Sequence, residues 1–353
     1  MSFYKIRELK TTEKRDILNL TDYYSQITVE QNLTERKLLE VLRRTLSAVL
    51  PKFLSIDFLE LISDFRNGKT PLLLLQGEFF AGSMPLLHTN EFVGTKFLLP
   101  QEVLAMIMSF LVGHSFGIQG ERLEMVQRGA KIANYAEGRS VSGTAERDFH
   151  VDNPQDLNHL AEFLLFLVNN PGGIYTQFSA VLVEELEKYK VGNYSILEIL
   201  TKPHFENTAT LNCLQKEPRV HPVVSNFDKK FAGIILNENT TLKSNENLIN
   251  MDLPNKWSEL ALGVLRKILK ENSINMPYNI AFVSQTDQSV LHAVQEIPDY
   301  RLKEICADPE NSSYLRFREL LRVYIAKYVE NRNWVQEIKN LESNYVTGTN
   351  VMA

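Results

Sequence analysis

A chain of 353 residues with 44% hydrophobic and 23% charged residues has an ordinary globular composition and can bury a sizeable core. Its net charge of −5 and scattered basic residues argue against a nucleic-acid surface, which needs clustered Lys and Arg. Two cysteines (Cys213 and Cys306), a charged N-terminus and the lack of any apolar stretch near the roughly 18 residues of a membrane span argue against a disulfide scaffold, a signal peptide and a membrane anchor.

These exclusions lead us to expect a cytoplasmic enzyme. In chain order, residues 33–50 carry Leu38, Leu39, Leu42, Leu46 and Val49 at helical spacing, with Thr34 as a cap and Pro51 as the stop. Asn67-Gly68 is a turn signal, and the apolar run from Pro71 to Gln76 reads as a buried strand. Residues 100–113 predict a helix opened by Pro100 and closed by Gly113. Residues 121–150 carry three glycines among polar residues and predict loop with short strands. Phe163–Val168 is a second buried strand candidate, and residues 169–173 (NNPGG) form a turn leading into the β-prone residues 174–178. Ser179 to Lys190 predicts a helix with Leu182, Val183 and Leu186 on one face. Residues 230–236 form another strand candidate. Residues 255–272 predict a long amphipathic helix carrying Trp257, Leu260, Leu262, Leu265 and Leu269. Asn279–Val283 and Leu320–Ile325 read as late strands. Strands on both sides of one long helical insert fit a β-barrel or jelly-roll wrapped in helices better than regular β-α-β alternation. No glycine-rich dinucleotide or P-loop motif is present.

The chemistry concentrates on a few residues. His150-Val151-Asp152 is an H-x-D pair, and on a strand residues two apart point to the same face. Imidazole and carboxylate then converge on one ion. His292, following an apolar strand and a polar turn, is the candidate third ligand; the alternative is a core histidine bonded to a backbone carbonyl. Two His and one carboxylate on one face of an octahedral iron leave open positions for a bidentate 2-oxo acid and dioxygen. Arg322 lies inside the apolar run 320–325. An interior Arg needs a partner, and its planar fork matches the far carboxylate of 2-oxoglutarate; a structural pair with Asp or Glu is the alternative.

With those residues assembled, the chain resembles the clavaminate synthase-like family of Fe(II)/2-oxoglutarate oxygenases, related to taurine dioxygenase and including asparagine, arginine and lysine hydroxylases. The resemblance spans about residues 70–328 and is weak between 185 and 275. Residues 72–77 (LLLLQG) are similar to an early family strand, with Gln76 in place of Arg. Residues 110–117 (FLVGHSFG) look like a helix-ending G-x-x-F-G motif. His150-Val151-Asp152 stands at the ligand pair, with Asp where many of the hydroxylases carry Glu. Residues 170–176 (NPGGIYT) look like the family's N-P-D-G-x-x-T turn, residues 280–292 bear the distal His, and Arg318-x-x-x-Arg322 matches an R-x-x-x-R strand. The resemblance implies that His150, Asp152 and His292 bind Fe(II). It also implies that Thr176 and Arg322 hold 2-oxoglutarate, with Arg318 the competing arginine, and that Glu238 or Asn239 meets a substrate ammonium group; a solvated loop is the alternative for that last pair. The substrate it implies is a free amino acid or close derivative, hydroxylated with O2.

The combined expectation is one catalytic domain over residues 1–353, a mixed α/β chain with a mainly β core. That core is a double-stranded β-helix (jelly-roll) over about 70–328, with flanking helices. An N-terminal helical region covers 1–69, a long helical insert about 179–275, and a C-terminal helix about 329–345. The alternatives are a taurine dioxygenase-like enzyme acting on another small acid, and a jelly-roll binding protein without catalysis. Oligomeric state stays open.

Overall fold

The computed structural model describes residues 2–31, 41, 55–66, 69–76, 113–116, 127–132, 147–151, 162–169, 176–207, 219–236, 240–242, 255–275, 280–283, 289–294 and 317–327. The expected helices over 33–50 and 329–345 lie outside these, apart from residue 41, as do Asp152, Glu238 and Asn239.

Among the described residues the largest sheet has seven strands: β1 (Tyr4–Glu8), β2 (Leu72–Gln76), β3 (Gly113–Phe116), β4 (Gln127–Ile132), β6 (Glu162–Asn169), β16 (Ile280–Val283) and β18 (Phe317–Lys327). Their order is β1-β2-β16-β6-β18-β3, with β4 also on β18. Only the β1–β2 pairing is parallel; the rest are antiparallel. The strands expected near 71–76, 163–168, 279–283 and 320–325 are all present. Leu72, Leu73, Leu74 and Leu75 are fully buried, so β2 is covered on both faces, which explains a continuous apolar run without alternation.

A second, four-stranded antiparallel sheet runs β15-β7-β17-β5, from β5 (Arg147–His150), β7 (Thr176–Ser179), β15 (Ile274–Asn275) and β17 (Leu291–Val294). Between β7 and β15 lies the insert. It is not purely helical as expected. It carries helices α3 (Val183–Lys188), α4 (Ile196–Leu200) and α5 (Asn255–Glu271) together with short strands. These are β8 (Lys190–Val191), β9 (Tyr194–Ser195), β10 (Phe205–Asn207), β11 (Arg219–His221), β12 (Val224–Asn226), β13 (Gly233–Ile234) and β14 (Thr240–Leu242). The helix expected from Ser179 begins four residues later. Ser179 stays on β7, paired with Leu291, and Leu182 bridges Phe231 in extended backbone. Of the strand expected over 230–236, only 233–234 pairs as β13. Gly113 opens β3; the helix expected before it, over 100–112, lies outside the described residues.

Local chemistry fixes the insert. Ser195 caps α4 by a reciprocal box: its Oγ accepts from Glu198 N at 3.2 Å, and Glu198 Oε2 accepts from Ser195 N at 2.7 Å. On α5, Ala261, Leu262, Leu265, Ile268 and Leu269 form the buried stripe; Leu260, expected there, is turned about 100° away and is exposed. The β8–β9 turn brings Gly192, at φ 62°, against Trp257. A Cβ there would lie 2.8 Å from two ring carbons. Gly192→Ala is therefore expected to lose about 2–4 kcal/mol in urea unfolding, combining left-handed strain with overlap against the indole.

The N-terminal region, expected to be helical, also supplies β1. Helices α1 (Thr11–Gln31) and α2 (Ile56–Arg66) pack beside it. Arg7 of β1 is the hub: its Nη2 donates to Glu13 Oε1 at 2.7 Å and Ser55 Oγ at 2.9 Å, and its guanidinium carbon stands 4.6 Å from the Phe58 ring centroid. Glu13 also accepts from Ser55 Oγ at 2.6 Å and Lys10 N at 2.9 Å. Burial raises the Glu13 pKa, but the hydrogen bonds from Arg7, Ser55 and Lys10 outweigh it, so the carboxyl is held below its usual range. Removing one partner of such a buried pair costs about 3–5 kcal/mol, so Arg7→Ala should lower unfolding free energy by that order at pH 7. A depressed pKa stabilises above the ordinary carboxylate value of about 4.3 and is lost as pH falls through the folded value. Urea titrations at pH 7 and at pH 3 should accordingly show the Arg7→Ala deficit shrink in acid.

Candidate metal centre

In the smaller sheet, Phe149 and Val151 flank His150, and Leu291 and Ala293 flank His292. All four belong to the hydrophobic cluster shared with Leu236, Ala261, Leu265 and Leu269 of the insert. Strand alternation therefore turns His150 and His292 to the opposite face. The two histidines are direct register partners across β5 and β17. Their ring centroids are 4.2 Å apart, and both residues are buried.

Thr176 is the first residue of β7, buried, and in register with Val294. Phe178, two residues on and so on the same face, is in register with His292. The structure thus gathers three of the expected site residues, His150, His292 and Thr176, on one face of three neighbouring strands. Arg318 and Arg322 lie on β18 of the larger sheet, at register positions opposite Lys131 and Leu165.

Two backbone contacts act at His150 and its neighbour Val151. His150 Nδ1 stands 2.7 Å from the Asp148 carbonyl, so Nδ1 carries the proton and donates, leaving the lone pair on Nε2. Metal-binding histidines are commonly oriented this way, by a carbonyl on the other ring nitrogen. Sequence reasoning missed this role of Asp148, because a main-chain acceptor leaves no side-chain signal. Val151 N donates to Leu236 O at 2.8 Å, which ties the residue between His150 and Asp152 to the end of the segment that leads into 237–239. Paired imidazoles, with the His150 tautomer fixed, suit a divalent transition metal. Among the described residues no group of three or more His, Cys, Asp or Glu gathers; Asp152 lies outside them.

Among the described residues, His204 and His221 are the other buried histidines, and both belong to the insert. His221 Nδ1 stands 2.7 Å from the Pro222 carbonyl. His204 Nδ1 is 3.5 Å from Ser258 Oγ, and burial, then the nearby Lys202 charge, lowers its pKa. No described helix is long and apolar enough to cross a membrane.

The fold is similar to that of solved structures of one non-haem iron oxygenase, OrfP. The non-haem iron oxygenase OrfP, in complex with Fe and alpha-ketoglutaric acid, matches with a TM-score of 0.62 at 14% identity, over 92% of this chain and 94% of that one. OrfP without those ligands matches with a TM-score of 0.65 at 14% identity, over 91% and 94%. OrfP with Fe and L-Arg matches with a TM-score of 0.61 at 15% identity, over the same shares. No protein-family model matches the chain, and no curated protein matches it in sequence.

Proposed function

We propose that this protein is an Fe(II)/2-oxoglutarate-dependent dioxygenase that hydroxylates an unactivated C–H of a free amino acid or close derivative. The observation that carries the reading is the pairing of His150 and His292 on one buried face, with the His150 tautomer set for metal binding. The seven-stranded, mainly antiparallel sheet and the four-stranded antiparallel sheet are read as the halves of a double-stranded β-helix, with the whole chain as one catalytic domain. His150, Asp152 and His292 hold the metal, which when bound supplies oxidative decarboxylation of 2-oxoglutarate coupled to hydroxylation. Thr176 donates to the cosubstrate carboxylate that Arg322 pairs, and Arg318 is the competing arginine. Glu238 or Asn239 receives the substrate ammonium group; the Val151–Leu236 hydrogen bond supports this by bringing the chain before 237 beside the ligand strand.

OrfP has been captured with L-Arg, L-canavanine and hydroxylated arginines, so arginine heads the substrates to test here. Purified protein given Fe(II), 2-oxoglutarate and each of the proteinogenic amino acids should form succinate, with one amino acid gaining the mass of one oxygen. Succinate formation without any such gain would point to another small acid as substrate. No succinate under any condition would leave a binding protein.

A further inference from the structure

We infer that Phe178 is a positioning residue for His292, the wedge that keeps its imidazole turned toward His150. This rests on the metal-centre reading above. Across the smaller sheet one register row reads His150, His292, Phe178, Ile274, on β5, β17, β7 and β15 in turn. His292 thus has a histidine on one flank and a phenylalanine on the other. Side chains directly opposite on antiparallel strands have Cβ atoms about 4.5–5.5 Å apart, so each flank bounds the ring's freedom.

The His292 ring lies toward the histidine flank, with its centroid 4.2 Å from that of His150. Phe178 is fully buried, so its side chain fills the space on the other flank instead of leaving it to solvent. It also lies outside the hydrophobic cluster of the insert, which takes the opposite face of these strands. Its bulk is therefore spent on the histidine face. A histidine has only a few staggered orientations, and one swung toward β7 would enter the volume of Phe178. Metal affinity depends on such ring placement, since groups that orient a ligand typically contribute about 10–100-fold.

Cobalt(II) binding to the full chain tests this without turnover, followed by the d–d absorption of the bound ion and by equilibrium dialysis. Phe178→Ala should weaken cobalt binding about tenfold or more and shift the d–d bands. Phe178→Leu, which refills part of the volume, should recover most of the affinity and sit about two- to fourfold below wild type. Phe65→Ala, an equally buried phenylalanine on α2, is the control for core damage alone. It should lower thermal stability while leaving the affinity and spectrum of the folded protein unchanged. Wild-type affinity in Phe178→Ala, or an equal loss in Phe65→Ala, would overturn the wedge. If Phe178→Ala does not fold, Phe178→Leu decides: wild-type affinity and spectrum would overturn it. Wild type binding no cobalt would overturn the metal-centre reading as well. Loss in His292→Ala with none in the Phe178 variants would overturn the wedge alone.

Discussion

His292→Ala is expected to abolish succinate formation and to weaken iron binding by more than about a hundredfold, beyond the loss typical of a residue that only orients a ligand. His150 and His292 meet as register partners, so either one lost leaves a single imidazole on that face. One imidazole and a carboxylate cannot fix the facial geometry that leaves adjacent positions open for a chelating 2-oxo acid and dioxygen. His150→Ala should behave alike. Circular dichroism should show both variants folded, because the neighbours Phe149, Val151, Leu291 and Ala293 keep their packing against the insert. His204→Ala and His221→Ala serve as comparisons, since these buried histidines sit in the insert. One equivalent of iron and normal turnover in His292→Ala would refute its assignment as ligand and move attention to those two.

Arg322→Gln should raise the 2-oxoglutarate requirement by roughly two to three orders of magnitude while leaving iron binding nearly unchanged. The register carries the argument. Position 322 lines up with Leu165, Ala281, Leu74 and Ile6, while the neighbouring row, Leu321-Phe166-Ile280-Leu75, ends at Arg7. Arg7 engages Glu13 of α1 and Phe58 of α2, so the row of position 321 is the helix-covered face. Position 322 therefore belongs to the other face. On the proposed reading that face carries the cosubstrate, whose far carboxylate pairs the guanidinium through two parallel hydrogen bonds. Losing one member of such a pair costs about 3–5 kcal/mol, and each 1.4 kcal/mol is about tenfold. Position 318 shares the face, being four residues away on one strand. Anaerobic titration of 2-oxoglutarate into iron-loaded wild type, Arg318→Gln and Arg322→Gln, read by charge-transfer absorption, separates the two. Unchanged affinity in Arg322→Gln with loss in Arg318→Gln would transfer the role.

What the sequence revealed follows from where its signals are local. Leu72–Leu75, Phe163–Val168 and Ile280–Val283 are unbroken apolar runs that read directly as strands, and at Leu72–Leu75 the run reflects a strand covered on both faces. Asn255–Glu271 announces itself by helical spacing. β1 is hidden because three of its five residues (YKIRE) are charged, and only the pairing with β2 makes them a strand. Ser179 to Val181 reads as helix because Leu182, Val183 and Leu186 have helical spacing, yet pairing with Leu291 holds Ser179 on β7. The two- and three-residue strands of the insert carry no periodicity long enough to detect. At the site, residue types exposed His150 and His292, but their apposition is a matter of register. Phe178 and the carbonyl of Asp148 are recognisable only once that register is known.

The apposition of β5 with β17 bears on how the molecule comes to be active. Its two histidines stand on opposite sides of the whole insert in the chain, so they meet only after that long loop has closed. Pairings of such sequence separation pay their closure entropy early and are rewarded late. The insert, built from neighbouring short elements around Ile196–Leu200 and Asn255–Glu271, can organise first, and the β5–β17 ladder then closes over it. On the proposed reading of His150 and His292 as ligands, metal competence would then come at the end of folding. A chain truncated before Leu291 would hold the insert's apolar residues and one of the two histidines, and would be metal-blind.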